Sequence, residues 1–266
     1  MYNFNTFEKK IIKKLTKYID CNFPNKRKSK YSNLYYVHNI FYILKTGCQW
    51  YNLKTKCHFT TIYKKFKYWS INEVFINFYN DNLNLYIKNR NSNQNYIKDL
   101  FIDSSHTKNI CGIDNIGKNY YDRYRNSTKC HLIVDENKIP LAYTFTGGNI
   151  HDSTQTEVLV NKLSILNTDK RRSYNLIADK GYINNNTYNK LKDNKIYLIY
   201  PKRKNSLKHP KYSNSKKNKL NLRYIVEHIF SSLDKFRRLL NRYERHCKYF
   251  ESFTLIAFSY FIERYL

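Results

Sequence analysis

The stretch Tyr96-Ile-Lys-Asp-Leu-Phe-Ile-Asp103 decides the fold, because a strand-like apolar run in it ends on an acidic residue. We predict a strand over residues 96–102, followed directly by Asp103. A second strand is predicted over 175–178 and is followed in the same way by Asp179. Ligands of open α/β sheets bind at the carboxyl ends of the strands. If the two strands are neighbours, both aspartates are therefore expected in one crevice.

Further strands and helices alternate with these two. Strands are predicted over residues 130–134, 141–145 and 196–200, with a hairpin connection at 135–138. Helices are predicted over 153–166, capped by Asp152 or Ser153, and near 186–191. This order predicts an α/β fold, a sheet with helices on its faces, for a domain over residues 96–266.

In the first part of the chain, the apolar residues recur with a different period. Apolar residues of 1–92 recur at helical spacing, which predicts a small all-α N-terminal domain before an Asn-rich stretch at 89–95. In the predicted helix from Thr60 to Trp69, Lys64 and Lys65 lie on the basic outer face. Two interpretations fit: the DNA-contacting half of a helix-turn-helix, or a solvated helix of a small bundle.

The composition restricts the class of partner. The 266 residues include 48 Lys and Arg against 20 Asp and Glu, so the formal net charge is +28, which favours a polyanion, nucleic acid before membrane. Neither an apolar run of about 18 residues nor a signal peptide is found, so we expect a soluble, intracellular protein. The six cysteines form no CxxC pair, which favours free thiols.

Residues 202–240 combine a basic segment with a long predicted helix. The connector 202–219 is rich in Lys, and a solvated loop or a phosphate-binding segment would explain it. From residue 221 to 240, apolar residues at helical spacing predict a helix with a narrow apolar stripe. Glu227 is predicted on the shoulder of that stripe, facing the sheet edge rather than bulk water.

Asp103, Asp179 and Glu227 are the candidate metal ligands and catalytic residues. Three carboxylates in one place repel one another unless a divalent cation neutralises them, and their oxygens suit Mg²⁺ or Mn²⁺. Two such ions can activate a hydroxyl for phosphodiester chemistry. Taken singly, each residue also has a plain structural explanation: a turn or cap for an aspartate, and an ion pair with a neighbour such as Arg223 for the glutamate.

Several longer motifs, in one order, resemble a known family. These are Phe101-Ile-Asp-Ser-Ser-His-Thr-Lys108, Gly147-Gly-Asn-Ile-His-Asp-Ser153, Ile177-Ala-Asp-Lys-Gly-Tyr182 and the run that begins Val226-Glu-His-Ile-Phe and ends at Arg245. The sequence from about residue 35 to 258 resembles DDE transposases of bacterial insertion sequences, in the group named after insertion sequence five. The resemblance implies a ribonuclease H-like catalytic core, with Asp103 on its first strand, Asp179 on its fourth and Glu227 on the following helix.

Basic residues near the motifs are candidate DNA contacts. Arg223 matches the Arg that the family places one helical turn before the glutamate, and Lys235 best matches the basic residue after it. Lys180 directly follows the second aspartate. Four arginines are predicted to continue the helix as a basic ridge, since Arg suits phosphate contacts: Arg237, Arg238, Arg242 and Arg245. The alternative for about half of them is an ion pair with an acidic neighbour.

The resemblance implies a transposase that uses two Mg²⁺ (or Mn²⁺) ions to cleave DNA and transfer the strand. Its expected partners are the terminal inverted repeats of its own element, target DNA and a second copy of the chain as a homodimer on DNA. We expect it in the cytoplasm on DNA, or in the nucleus of a eukaryotic host. Two rival interpretations are a non-catalytic DNA-binding protein or repressor derived from a transposase, and a simple nuclease of the same fold.

Overall fold

The structure is a computed structural model, and it describes residues 3–24, 29–92, 95–167, 172–182, 185–201 and 212–266. The chain forms two compact units. The helical unit comprises Met1–Tyr86, Ile110–Asp114 and Leu233–Leu266, and the sheet unit comprises Ile87–Asn109 and Asn115–Ser232. No helix in the described part of the chain is long and apolar enough to cross a membrane.

The predicted N-terminal helices are present, and their ends follow from local capping. The helices are α1 (Thr6–Asn22), α2 (Asn33–Thr46), α3 (Phe59–Ile71) and α4 (Val74–Ser92). Asn5 and Glu8 form a capping box at the start of α1. Gly47 ends α2 in the left-handed conformation, at φ 69°, which glycine adopts without steric cost.

The connection between α2 and α3 differs from that of a helix-turn-helix. It runs over residues 47–58 and contains a short 3₁₀ turn, Trp50–Asn52, whereas the DNA-binding motif has a turn of roughly 3–4 residues. Helix α3 begins at Phe59, one residue before the predicted start at Thr60, and its N-cap is His58. The described geometry therefore does not reproduce the standard motif.

The core of the helical unit includes the end of the chain. The last helix, Cys247–Ile262, is buried along most of its length. Its Phe253 stacks on Phe66 of α3 with ring centroids 4.5 Å apart. Phe66 and Trp69 are fully buried there. Apolar burial of this kind is the main stabilising contribution to a fold, so residues 233–266 belong with the N-terminal helices rather than with the sheet. The limits 1–92 and 96–266 remain a prediction for the functional domains.

The sheet unit contains all the predicted strands and one more. They are β1 (Asp99–Asn109), β2 (Gly117–Asn119), β3 (Arg125–Asp135), β4 (Pro140–Gly147), β5 (Tyr174–Ile177) and β6 (Ile196–Ile199). The order is β2-β3-β1-β5-β6, and β4 also pairs with β3. β1 and β3 are antiparallel, whereas β5 is parallel to both β1 and β6. This mixed sheet, with helices α5 (Thr156–Asn161) and α6 (Asn185–Asp193) in its connections, is the ribonuclease H-like arrangement that the motifs predicted.

Two predicted helices are shorter than expected. The one predicted over 153–166 consists of a 3₁₀ turn, Asp152–Thr154, then α5, then a second 3₁₀ turn, Ser164–Asn167. The one predicted over 221–240 is divided into a 3₁₀ turn, Asn221–Arg223, and α8 (Tyr224–Leu233), with α7 (Asn214–Leu220) before it. Of the basic connector, residues 202–211 lie outside the described residues.

Helix α8 stops because the chain turns into the core of the helical unit. Phe236 has a non-helical backbone and is almost fully buried, with its ring 5.4 Å from that of Tyr260. A 3₁₀ turn, Arg237–Leu239, and the two-residue strand β7 (Asn241–Arg242) follow, and the helix Cys247–Ile262 is α9. The apolar spacing beyond Leu233 therefore reflects burial of an irregular segment, not a continuing helix.

Candidate active site

The pairing of β1 with β5 places Asp103 and Asp179 side by side. The two strands are parallel, and their last paired residues are Phe101 and Ile177. Each aspartate follows its paired residue by two positions, and the two carboxylates are close enough that the Asp179 charge acts on Asp103. The register confirms that the two predicted strands are neighbours, whereas a shared site of the two acids stays a prediction.

The sequence predicted that the first strand ends just before Asp103, but β1 extends beyond this residue. It continues to Asn109 because β3 pairs with it as far as Lys108. Asp103 lies opposite Leu132 in that ladder, whereas its other neighbour, β5, has already ended at Ile177. The carboxylate thus lies where β1 has no further pairing with β5, while its backbone is still paired with β3 on the other side.

Asp103 is the electrostatically perturbed group of the site. Burial raises its pKa to about 6, against the lowering effects of the Ser104 N–H, which donates a 2.8 Å hydrogen bond, and of the Arg223 charge. The nearby carboxylates Asp152 and Asp179 raise this pKa further. A desolvated carboxylate among other carboxylates gains most from a bound cation.

Arg223 is the basic residue that reaches the two aspartates. Its Nη1 lies 3.3 Å from Oδ1 of Asp179, and both side chains are partly exposed to water. The 3₁₀ turn before α8 carries this arginine to the site. Arg223 therefore neutralises the acid pair in part, and a partly exposed ion pair of this kind is weak enough to open for a ligand.

A third carboxylate, Asp152, lies beside the pair, and the sequence did not predict its role. Its Oδ1 accepts hydrogen bonds from the Ser104 hydroxyl at 2.8 Å and from Nζ of Lys129 at 3.2 Å. The buried Lys129 ammonium also donates to the carbonyl of Ile150 at 2.8 Å. The cap that the sequence assigned to Asp152 or Ser153 is made by His151, whose ring accepts from the Ser153 N–H. The motif Gly147-Gly-Asn-Ile-His-Asp was the only signal that could have identified Asp152.

His131 completes this polar cluster as a neutral side chain. Burial lowers its pKa to about 4, with the positive charge of Lys129 adding to the effect and Asp152 opposing it. Its Nδ1 is 3.5 Å from Oδ1 of Asp152, and its Nε2 shares a 2.8 Å hydrogen bond with the hydroxyl of Thr146. Lys129, and not His131, is therefore the charge that balances Asp152 at neutral pH.

Glu227, the third predicted ligand, is on α8. Val226 and Ile229 on the same helix are buried, but the Glu227 side chain is exposed. The expectation that it faces away from bulk water is wrong. Within the described residues its carboxylate makes no hydrogen bond or ion pair, and no cluster of three or more His, Cys, Asp and Glu side chains is arranged to hold a metal ion. The role of Glu227 as the third ligand remains a prediction.

Most of the candidate DNA contacts lie on the surface. Lys64, Lys180, Lys235 and Arg237 are exposed. Lys65 is half-buried, because its ammonium lies over the rings of Trp69, Tyr68 and Tyr36 at 5.2 to 5.8 Å. Of these two predicted contacts on α3, Lys64 is thus the better placed for a phosphate.

The predicted basic ridge is corrected for Arg238 and Arg242, which are 4% and 0% exposed. The Arg238 guanidinium forms a 2.7 Å ion pair with Glu244 and donates to the carbonyl of Cys48. The Arg242 guanidinium pairs with Asp114 and donates to the carbonyl of Glu244 at 3.2 Å. Burying a charged group is costly unless it is paired, so both side chains stabilise the helical unit and neither is available to DNA in this structure.

Comparison with known proteins places the chain in a family. Residues 99–262 match the transposase DDE domain, and the chain belongs to that family. A putative transposase for insertion sequence element IS402 from Burkholderia cepacia is 32% identical over 133 residues, which are 48% of this chain and 59% of that protein. The chain therefore matches less than two thirds of that relative's length. Among solved structures, the piggyBac transposase synaptic complex with hairpin DNA superimposes with a TM-score of 0.53 over 95% of this chain and 72% of that one. At 10% identity this likeness shows the fold alone.

Proposed function

We propose that the protein is a transposase that binds the terminal inverted repeats of its own element and carries out metal-dependent DNA cleavage and strand transfer. The observation that carries this proposal is the parallel register of β1 and β5, which brings Asp103 and Asp179 together beside Arg223. Membership of the DDE domain family supports the same conclusion. The net charge of +28 fits a DNA partner.

The donor set fits a divalent cation such as Mg²⁺ or Mn²⁺. Asp103 and Asp179 supply the hard oxygen ligands that these ions prefer, and Asp103 lacks a basic partner of its own within the described residues. When bound, the ions would activate the attacking hydroxyl and stabilise the leaving oxygen of a phosphodiester. We expect Glu227 to complete the ligand set with these two aspartates.

The other residues around Asp103 have distinct roles in the proposal. Lys129 holds Asp152 as its own ion-pair partner, and Asp152 in turn accepts a hydrogen bond from the Ser104 hydroxyl. The Ser104 N–H orients the Asp103 carboxylate. If Asp179 held a cation, Arg223 would lose its pairing with that carboxylate, and its guanidinium would be available to a DNA phosphate. No covalent bond between protein and DNA is required.

An Asp179→Asn variant tests the proposal. Purified full-length protein is incubated with labelled duplex that carries the inverted repeats flanking its gene, with Mg²⁺ or Mn²⁺. We expect wild-type protein to cut at the repeat ends and join them to a target plasmid, and the variant to lose both products by at least a hundredfold while binding DNA. Asp193→Asn, an exposed acid on α6, is the matched control and is expected to keep full activity.

Other outcomes identify the rival functions. Undiminished cleavage by Asp179→Asn would show that Asp179 is not a metal ligand of the cleavage site. Sequence-specific binding by the wild type without any cleavage would show a repressor, and cleavage without joined products would show a simple nuclease. Two repeat ends must be brought together before joining, so we also expect a homodimer on DNA, measured as the mass of the complex in solution.

A further inference from the structure

A short turn in the sheet unit displays three tyrosines to solvent. The turn joins β2 to β3, and we call residues 120–124 the tyrosine turn. Tyr121 is 97% exposed, Tyr120 is 60% exposed and Tyr124 is 62% exposed. Aromatic side chains are among the largest apolar surfaces that a chain can bury. A contiguous exposed group of them marks an interaction site more often than it serves the fold.

The turn is ordered by its own hydrogen bonds. The buried Asn119 accepts the N–H of Tyr121 on its side-chain oxygen at 3.0 Å, and its carbonyl accepts the N–H of Tyr124 at 3.0 Å. Arg125 donates its N–H to the carbonyl of Asp122 at 2.9 Å. Tyr120 and Tyr124 pack edge to face, with ring centroids 5.5 Å apart, so Tyr121 is the ring with a face open to a partner.

The backbone of the turn is strained. Arg123 and Tyr124 have φ values of +48° and +58°, the left-handed region that residues with a Cβ rarely adopt. A non-glycine residue held in this region is a reason to look for a function. Here the left-handed residues lie within the same turn that exposes the three tyrosines.

The surroundings of the rings select the partner. Lys118, Arg123 and Arg125 are exposed next to the tyrosines, and Asp122 is the one acid among residues 117–126. Aromatic rings interleaved with basic side chains form the usual surface for single-stranded nucleic acid, in which bases stack on the rings and the cations contact phosphates. Base faces are not accessible in paired duplex DNA. The chemistry of the turn therefore fits unpaired bases.

We propose that the tyrosine turn binds unpaired DNA bases next to the site of cleavage, with Tyr121 as the stacking platform. This inference rests on the proposed function only for its partner, DNA. β3 connects the turn to the active site, because Leu132 lies opposite Asp103 and Arg125, which pairs with Asn119, borders the turn. At about 3.4 Å per residue, these positions on the strand are roughly 24 Å apart. That distance is about seven base steps of B-form DNA, so bases opened near the cleaved phosphate are within reach.

The test compares two DNA duplexes that differ only in pairing. One is blunt, and the other carries a single-stranded arm of ten nucleotides with one fluorescent 2-aminopurine. We expect wild-type protein to bind the forked duplex more tightly than the blunt one and to quench the 2-aminopurine. In Tyr121→Ala the affinity for the forked duplex should fall by about fivefold to a hundredfold, the usual effect of one stacked base, while binding of the blunt duplex stays unchanged.

Matched variants separate stacking from charge and from folding. Tyr121→Phe keeps the ring and is expected to behave as the wild type. Arg123→Gln removes one charge and is expected to weaken binding of the forked duplex with a smaller salt dependence, while the bound 2-aminopurine is still quenched. Tyr51→Ala, an exposed tyrosine of the helical unit, is expected to leave the difference between the two duplexes unchanged.

Each contrary result has a definite meaning. Equal loss on both duplexes in Tyr121→Ala would show a duplex contact and overturn the proposal. A change in self-association with unchanged DNA binding would show that the turn contacts another copy of the chain, which also overturns it. Failure of the wild type to bind either duplex would instead contradict the proposed function. Because these readouts are binding equilibria, they do not depend on cleavage.

Discussion

Replacing Arg238 with Met should destabilise the helical unit without weakening DNA binding. The guanidinium is 4% exposed, and its partner Glu244 is 6% exposed. Arg238 donates to Glu244 from Nε at 2.7 Å and lies over the ring of Tyr243, with 5.2 Å to the centroid. In Arg238→Met the Glu244 charge stays buried without this partner.

The expected cost follows from that unpaired charge. Removal of one partner from a buried ion pair typically costs 3–5 kcal/mol, so we expect a loss of about 3–5 kcal/mol in the free energy of unfolding. With a denaturant slope of roughly 3 kcal/mol per molar urea, the midpoint should fall by about 1–2 M. The double variant Arg238→Met/Glu244→Leu replaces both charges by apolar groups and should lie within about 1 kcal/mol of the wild type.

Intrinsic tryptophan fluorescence is the appropriate probe, because the two tryptophans of the chain, Trp50 and Trp69, both belong to the helical unit. The same variants are titrated with DNA at several salt concentrations. A lost phosphate contact lowers the salt dependence by about one unit, whereas a structural arginine leaves it unchanged in the folded protein. Normal stability together with a lowered salt dependence in Arg238→Met would refute the burial argument and restore Arg238 as a DNA contact.

Three further predictions concern the sheet unit and the surface arginine. Asp103→Asn should be more stable than the wild type at pH 8 by up to about 3 kcal/mol but not at pH 4, because the raised pKa of Asp103 makes its ionisation near pH 6 oppose folding. Urea unfolding in the presence of a chelator, followed by circular dichroism, measures this difference in stability. A difference that does not change with pH would contradict the prediction. Gly148→Ala should lose about 1–3 kcal/mol of unfolding free energy in the same assay, because a Cβ there would lie 2.1 Å from Oγ of Ser127. Gly181→Ala should be close to neutral, because its Cβ would lie 3.8 Å from Oδ2 of Asp152. Arg237→Gln should reduce the salt dependence of DNA binding, the slope of log K against log salt concentration, by about one unit without loss of stability, because this side chain is exposed. An unchanged slope would show that Arg237 does not contact DNA phosphate.

The sheet could be predicted from the sequence because its strands are continuous apolar runs. Leu100, Phe101 and Ile102 are fully buried, as are Leu176 and Ile177, so the local pattern and the tertiary environment agree. For the same reason the positions of Asp103 and Asp179 at one edge followed from the pattern. The extension of β1 to Asn109 did not, since its outer residues are polar and are held by pairing with β3 rather than by burial.

Burial of charged residues was the main source of error. Arg238 and Arg242 occur in a basic run that reads as a surface ridge, and only the tertiary structure brings Glu244 and Asp114 against them. Asp152 was interpreted as a helix cap because its partner Lys129 is distant in the sequence. An ion pair between remote residues leaves no periodic signal, whereas the hydrophobic pattern of an element does.

The distribution of acids within a strongly basic chain sets Asp103 apart. Arg238 lies against Glu244, Arg242 against Asp114, and Lys129 against Asp152. Asp103 is also largely withdrawn from water, yet within the described residues its carboxylate forms no ion pair, and its raised pKa measures the resulting cost. A destabilising group of this kind is retained when an interaction with a ligand, which the folded chain by itself does not make, compensates for its cost in stability. A cation shared with Asp179 meets that requirement, and a stability gain from Asp103→Asn that disappears in saturating Mg²⁺ or Mn²⁺ would be its direct measure.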